Sequence, residues 1–175
     1  MWTGELQTEK CVSITNLPSH FDLINCNAKK YEFCLATREP RIVRISGPHL
    51  PSIHDIAVFR GGTTDNPEDW DETALYFQLE EDEWCIGDSG YNGEPGKVVV
   101  AKDEHPPELK YFIARAKNRQ ETFHTRLKSF NILGHRFRHG SNTDDTMRLH
   151  KIAVYAVATI IQYDYENGHP PFDIC

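Results

Sequence analysis

Apolar and polar positions alternate or cluster in Lys30 to Thr37 (KYEFCLAT) and again in Arg41 to Ser46 (RIVRIS). The intervening Arg38-Glu39-Pro40-Arg41 suits a turn, so the two segments predict a β-hairpin. Gly47-Pro48 is expected to stop its second strand. Ser52 followed three residues later by Asp55 has the form of a capping box. A short helix is therefore expected to start there and to end at Gly61-Gly62. Thr73 to Glu83 is expected to be helical, and Glu83 to Gly87 and Lys97 to Ala101 are expected to be strands. Pro106-Pro107 opens a longer pattern of helical period that runs to about Phe130. In it Ile113, Ala116, Phe123, Leu127 and Phe130 lie close to one stripe, while Lys117, Glu121, His124 and Lys128 share the opposite side. Asp144 to Tyr165 predicts a last helix, closed by Gly168 and Pro170-Pro171. Residues 1–28 are weakly patterned, with Cys11 to Ile14 a candidate short strand. Strands come early and helices late, which gives an α/β layer with a mixed sheet and flanking helices.

The totals narrow this picture. At 175 residues, 39% apolar and 26% charged, the chain fits one globular domain with a substantial core. Met1 to Lys10 has no apolar run of the kind a signal peptide needs. The longest apolar stretch, Ile152 to Ile161, is too short to cross a bilayer, so no membrane partner is expected. Five cysteines without a C-x-x-C pair form neither a disulfide framework nor a zinc knuckle, and a reducing compartment is expected.

The net charge of -7 matters less than its distribution. From Gly61 to Gly96 there is no Lys or Arg, whereas from Lys110 to His139 there are eight cations and one carboxylate, Glu121. A solvated helix face ordinarily mixes signs, so a lone acid among cations is a candidate metal ligand flanked by phosphate-binding groups. Its plainer reading is a surface Glu in i, i+4 pairs. Asp88 follows the apolar Trp84-Cys85-Ile86-Gly87 and precedes Ser89-Gly90-Tyr91. A carboxylate at the end of a strand is well placed to hold a hard cation, and it serves equally as the acceptor of an Asx-turn. His54-Asp55 can donate to a metal, but its capping partner Ser52 gives Asp55 a structural task. Gly87-Asp88-Ser89-Gly90 also matches part of a serine-protease loop, without the upstream histidine and barrel context that chemistry requires. No Gly-Lys-[Ser/Thr] follows the glycines, which excludes a P-loop.

In order along the chain stand Lys30-Tyr31-Glu32-Phe33, Arg41-Ile42-Val43-Arg44-Ile45-Ser46-Gly47-Pro48, His54-Asp55-Ile56-Ala57-Val58-Phe59, Gly87-Asp88-Ser89-Gly90-Tyr91, Asn118-Arg119-Gln120-Glu121-Thr122-Phe123 and Arg136-Phe137-Arg138-His139-Gly140. This series resembles the catalytic domain of Harbinger-type DDE transposases and the nucleases derived from them, over about residues 29–175. The resemblance implies a ribonuclease H-like fold, N-terminally incomplete here, with residues 1–28 a remnant of the first strand. It implies a divalent-metal-dependent DNA endonuclease or transposase that cleaves phosphodiester bonds with two ions, Mg or Mn, held by three carboxylates. Asp88 maps onto the second acid and Glu121 onto the third, with 32 residues between them. Lys117, Arg119, Arg126 and Lys128 are then expected to meet DNA phosphates, and a nuclear location follows by the same resemblance. The family's first acid lies in an Asp-Gly-Thr-like strand that this chain lacks. Glu5, Glu9 and Asp22 are carboxylates upstream, none in that context. The family's helical DNA-binding region is likewise missing, which leaves that function to a separate partner protein. The alternative is a catalytically dead, transposon-derived remnant that binds DNA or a protein.

Overall fold

A computed structural model describes residues 11–18, 29–135, 137 and 139–171. The hairpin consists of β2 (Lys30–Ala36) and β3 (Ile42–His49), paired antiparallel. Strand β1 (Cys11–Pro18) lies antiparallel to β2 on its other side and parallel to β4 (Trp84–Gly87). Strand β5 (Val98–Val100) continues the parallel half, giving the order β3-β2-β1-β4-β5. The mixed α/β layer expected from the sequence is therefore present. Strand β2 is buried on both faces, with Tyr31, Phe33 and Leu35 in one cluster and Cys34 in the other. This is why it reads as a nearly continuous apolar run rather than a clean alternation.

Helices cover both faces. On one, α1 (Asp55–Arg60) and the single turn α2 (Leu75–Gln78) place Phe59, Leu75 and Leu79 against Ile14, Cys34, Cys85 and Val98. On the other lie α3 (Pro107–Ser129) and α5 (Thr143–Glu166), joined through a short turn, α4 (Asn131–Gly134). The first half of α3 sets Leu109, Ile113 and Ala116 on Ile86 of β4 and Val99 of β5. Its second half sets Phe123 and Leu127 among Phe33, Leu35 and the inner face of α5. The Phe33 and Phe123 rings meet edge to face at 5.0 Å. Helix α3 thus runs across the strands, and this direction decides where its polar flanks face.

Three elements differ from the sequence reading. Strand β3 passes through Gly47-Pro48 instead of stopping there, because a bulge absorbs one residue: Glu32 pairs with Ser46 but Lys30 with His49. Gly47 takes φ 129°, and a Cβ there would press on the Lys30 carbonyl at 2.9 Å. Helix α1 begins at Asp55, with His54 as N-cap and no side-chain cap, so the Ser52–Asp55 capping box does not form. The helix expected over Thr73 to Glu83 is reduced to one turn. Lys97 Nζ binds the Leu79 and Glu80 carbonyls at 2.8 and 2.9 Å, and the Glu83 carboxylate accepts from the Glu80 amide. These bonds draw the chain into a turn that leads directly into β4. The C-terminus of α1 behaves as expected, with Gly61 left-handed and its N–H on the Ala57 and Val58 carbonyls.

Arg119 anchors α3 to the hairpin. Its guanidinium is buried, donating to the Thr37 carbonyl at 2.7 Å and to the Glu39 carbonyl in the β2–β3 turn. Charge-assisted bonds of this kind contribute about 1.5–3 kcal/mol each. Arg119→Ala is expected to lower unfolding stability by about 3 kcal/mol in urea denaturation, whereas truncating an exposed arginine would stay within about 0.5 kcal/mol.

Candidate functional site

The segment Gly87 to Tyr91 folds as it does for steric and electrostatic reasons. Strand β4 ends at Gly87, and Asp88 caps a tight turn over Ser89–Tyr91 by accepting from the Gly90 N–H at 2.8 Å. A Cβ on Gly87 would stand 2.9 Å from Tyr91 Cβ, so only glycine lets the buried Tyr91 ring fold back beneath the strand end. Gly90 matters for a different reason. Its Cβ would fall 2.5 Å from Asp55 Oδ2 and 3.1 Å from Asp88 Oδ1. The carboxylates of Asp55 and Asp88 therefore flank this one glycine, one from the start of α1 and the other from the end of β4.

Around this pair lies a charged cluster. Lys30, at the start of β2, places Nζ 2.6 Å from Asp55 Oδ1 and donates to the Ile53 carbonyl. Glu32 is buried to 2% exposure on the same face of the sheet, with the Tyr91 hydroxyl 3.5 Å from its Oε1. Burial raises the Glu32 pKa to about 7, and the Asp55 charge adds to this, while Arg44, the Tyr91 hydrogen bond and Lys30 pull the other way. The Tyr91 hydroxyl is pushed well above its ordinary range, first by burial and then by the charges of Glu32, Asp55 and Asp88.

The polar flanks of α3 face different ways. Arg119 grips the β2–β3 turn, which lies where β1 and β4 begin, since Ala36 pairs with Val12 and Cys11 with Trp84. Arg126 faces the same way, with Nη1 3.2 Å from Asp164 Oδ2 and 2.7 Å from the His169 carbonyl. At 3.6 residues per turn, Glu121 lies on the opposite flank from Arg119, together with Lys117 and Lys128. Because α3 crosses the strands, that flank faces the edge where β1 and β4 end, the edge that carries Asp88. Glu121 and Lys128 are exposed and Lys117 is half-buried. The four candidate phosphate contacts are thus divided: Lys117 and Lys128 accompany Glu121, while Arg119 and Arg126 hold the fold together.

His124 turns inward beside Phe33 and Phe123, and burial lowers its pKa to about 4, so it is neutral near pH 7. Its Nε2 finds no hydrogen-bond partner among the described residues. Glu5, Glu9 and Asp22, as well as Arg136 and Arg138, lie outside the described residues. Strand β1 forms as the sequence suggested, but it carries no carboxylate. Among the described residues no group of three or more His, Cys, Asp or Glu side chains stands close enough to hold a metal ion, and no helix is long and apolar enough to cross a membrane.

Two residues of this cluster had no functional assignment from sequence. Asp55 was accounted for as a cap, a task the structure does not give it. Glu32 had a legible signal, a carboxylate between Tyr31 and Phe33 in an apolar strand, which acquires meaning only once both faces of β2 are covered. No family model matches the chain, and no curated protein or solved structure matches it either.

Glu32 should make stability depend on pH. A carboxyl whose folded pKa is raised holds its proton more tightly in the folded state, so stability falls as pH climbs from about 4.5 towards 7 and stays low above that. Glu32→Gln removes this loss. It is expected to gain about 3 kcal/mol relative to wild type at pH 8 and almost nothing at pH 4. Thermal melts of both proteins across that range check the crossover.

Proposed function

We propose that this chain is a ribonuclease H-like domain of the Harbinger-type DDE class that acts on DNA phosphodiesters at the edge where β1 and β4 end. The observation that carries the reading is the meeting of Asp55 and Asp88 across Gly90, with Glu121 and two lysines on the flank of α3 facing the same edge. The order β3-β2-β1-β4-β5, antiparallel then parallel and covered by helices on both faces, agrees with that architecture. Ligands of open α/β sheets bind outside the carboxyl ends of parallel strands, which is where Asp88 stands.

The donor set is all oxygen, as Mg and Mn prefer, and Mg commonly binds through one or two carboxylates completed by water and substrate phosphate. Asp88 and Asp55 would hold such an ion, with Glu121 the further carboxylate on that edge. Bound there, a divalent ion supplies Lewis-acid polarisation of the phosphodiester and acidifies the attacking water. Lys117 and Lys128 draw the DNA backbone to the edge and orient it, a contribution that weakens with salt. Lys30, paired to Asp55, keeps that carboxylate ionised and in place. A separate DNA-binding protein would supply target choice, and the setting would be the nucleus.

One observation favours a second reading, a folded remnant that binds DNA or a protein without cleaving it. Strand β1 brings no acid to the edge, and no three-acid group forms among the described residues. Thermal-shift titration with Mn separates the two. Binding at a hundredfold excess over Kd adds about 2.7 kcal/mol of stability. The wild type is expected to show a concentration-dependent rise that is abolished in Asp88→Asn and in Asp55→Asn and reduced in Glu121→Gln. Nicking of supercoiled plasmid in Mn then distinguishes nuclease from remnant. A flat wild-type titration sinks the proposed metal site.

A further inference from the structure

Helix α5 is apolar on both sides. Its inner side buries Ala153, Val154, Val157, Ala158 and Ile161 against the sheet. Its outer side leaves Ile152 at 52% and Tyr163 at 67% exposure, with Tyr155 and Ile160 also open. No charged residue occurs between Lys151 and Asp164. A helix that is hydrophobic all round is normally covered, and an uncharged face has nothing to offer a nucleic acid. The active edge is a separate surface, because it lies beyond β1 and β4 whereas α5 packs over β2 and β3.

From this face we infer that the chain forms a two-fold symmetric homodimer in which the α5 helices of two copies pack antiparallel. The charges at the ends of the stripe select the occupant and its direction. Arg148 and Glu166 lie on the outer side, exposed, and they bracket the uncharged stretch. Laid antiparallel, Arg148 of each copy comes level with Glu166 of the other, Ile152 with Tyr163, and Ala156 with Thr159. Laid parallel, the same helices would set arginine on arginine and glutamate on glutamate. The small Ala156 and Thr159 at the middle admit close approach of the axes. Tyr155 is already fixed, its hydroxyl donating to the Ile45 carbonyl at 3.0 Å, so its ring is ordered before association. The surface continues onto β3, where Val43 is exposed beside the shallow groove lined by Ile42, Tyr155 and Thr159. A two-fold interface is self-complementary, as this stripe is.

Sedimentation velocity of the full chain over a concentration series tests the inference. The wild type should sediment as a dimer, and Ile152→Glu with Tyr163→Glu as a monomer whose thermal melt remains cooperative. Arg148→Glu and Glu166→Arg should each weaken the dimer about tenfold, since two symmetric pairs are lost together. Combining them should restore wild-type affinity, because the exchanged charges face each other again. A wild type that stays monomeric at all concentrations, or a dimer that survives Ile152→Glu with Tyr163→Glu, overturns the proposal. Failure of the double exchange to restore affinity overturns the antiparallel arrangement.

Discussion

The passage of α3 across the sheet is the constraint on which the rest depends. Its apolar stripe meets β4 and β5 at one end and β2 at the other, so a single helix ties the parallel half of the sheet to the antiparallel hairpin. Phe33 against Phe123 and Arg119 on the hairpin turn fix both its position and its rotation. With the rotation fixed, one flank must face the strand ends that carry Asp88 and the other the hairpin turn. The grouping of Glu121 with Lys117 and Lys128 is therefore a consequence of core packing.

The opposite face of the sheet carries the electrostatic cost. Burying Glu32 beside Tyr91 is unfavourable for the charged form, and the nearby cations Lys30 and Arg44 offset part of it. The same cluster holds Asp55 next to Asp88, so the strain of a buried acid and the convergence of two surface acids share one set of neighbours. Functional edges of sheets commonly concentrate such perturbed groups, because ligand charge has to be met by fixed protein charge.

The outer edge of the sheet is handled by α5. Gln162 accepts from the Ile42 amide and donates to the Pro40 carbonyl, and Tyr155 takes the Ile45 carbonyl. These side chains occupy backbone groups that β3 would otherwise present to another strand, which blunts the edge against unwanted pairing. The helix that protects the edge also exposes its own apolar outer side, so growth of the assembly is directed to helix packing rather than strand addition.

The sequence by itself determined the elements whose signal is local. The hairpin, the β4 strand before Asp88, the Gly61 stop and both long helices follow from period, turn residues and caps, which act within a few positions. Glu121 and Asp88 were legible for the same reason, one as a lone acid among cations and the other at a strand end. Tertiary structure decided everything that depends on distant neighbours. Lys97 shortened the helix expected over Thr73 to Glu83, a bulge carried β3 through Gly47-Pro48, and packing split four similar cations into two structural and two exposed. Asp55 left its expected cap because Lys30, 25 residues away in sequence, offered a closer partner. Local pattern records which side chains can be buried or charged; only the packed fold fixes which of them meet.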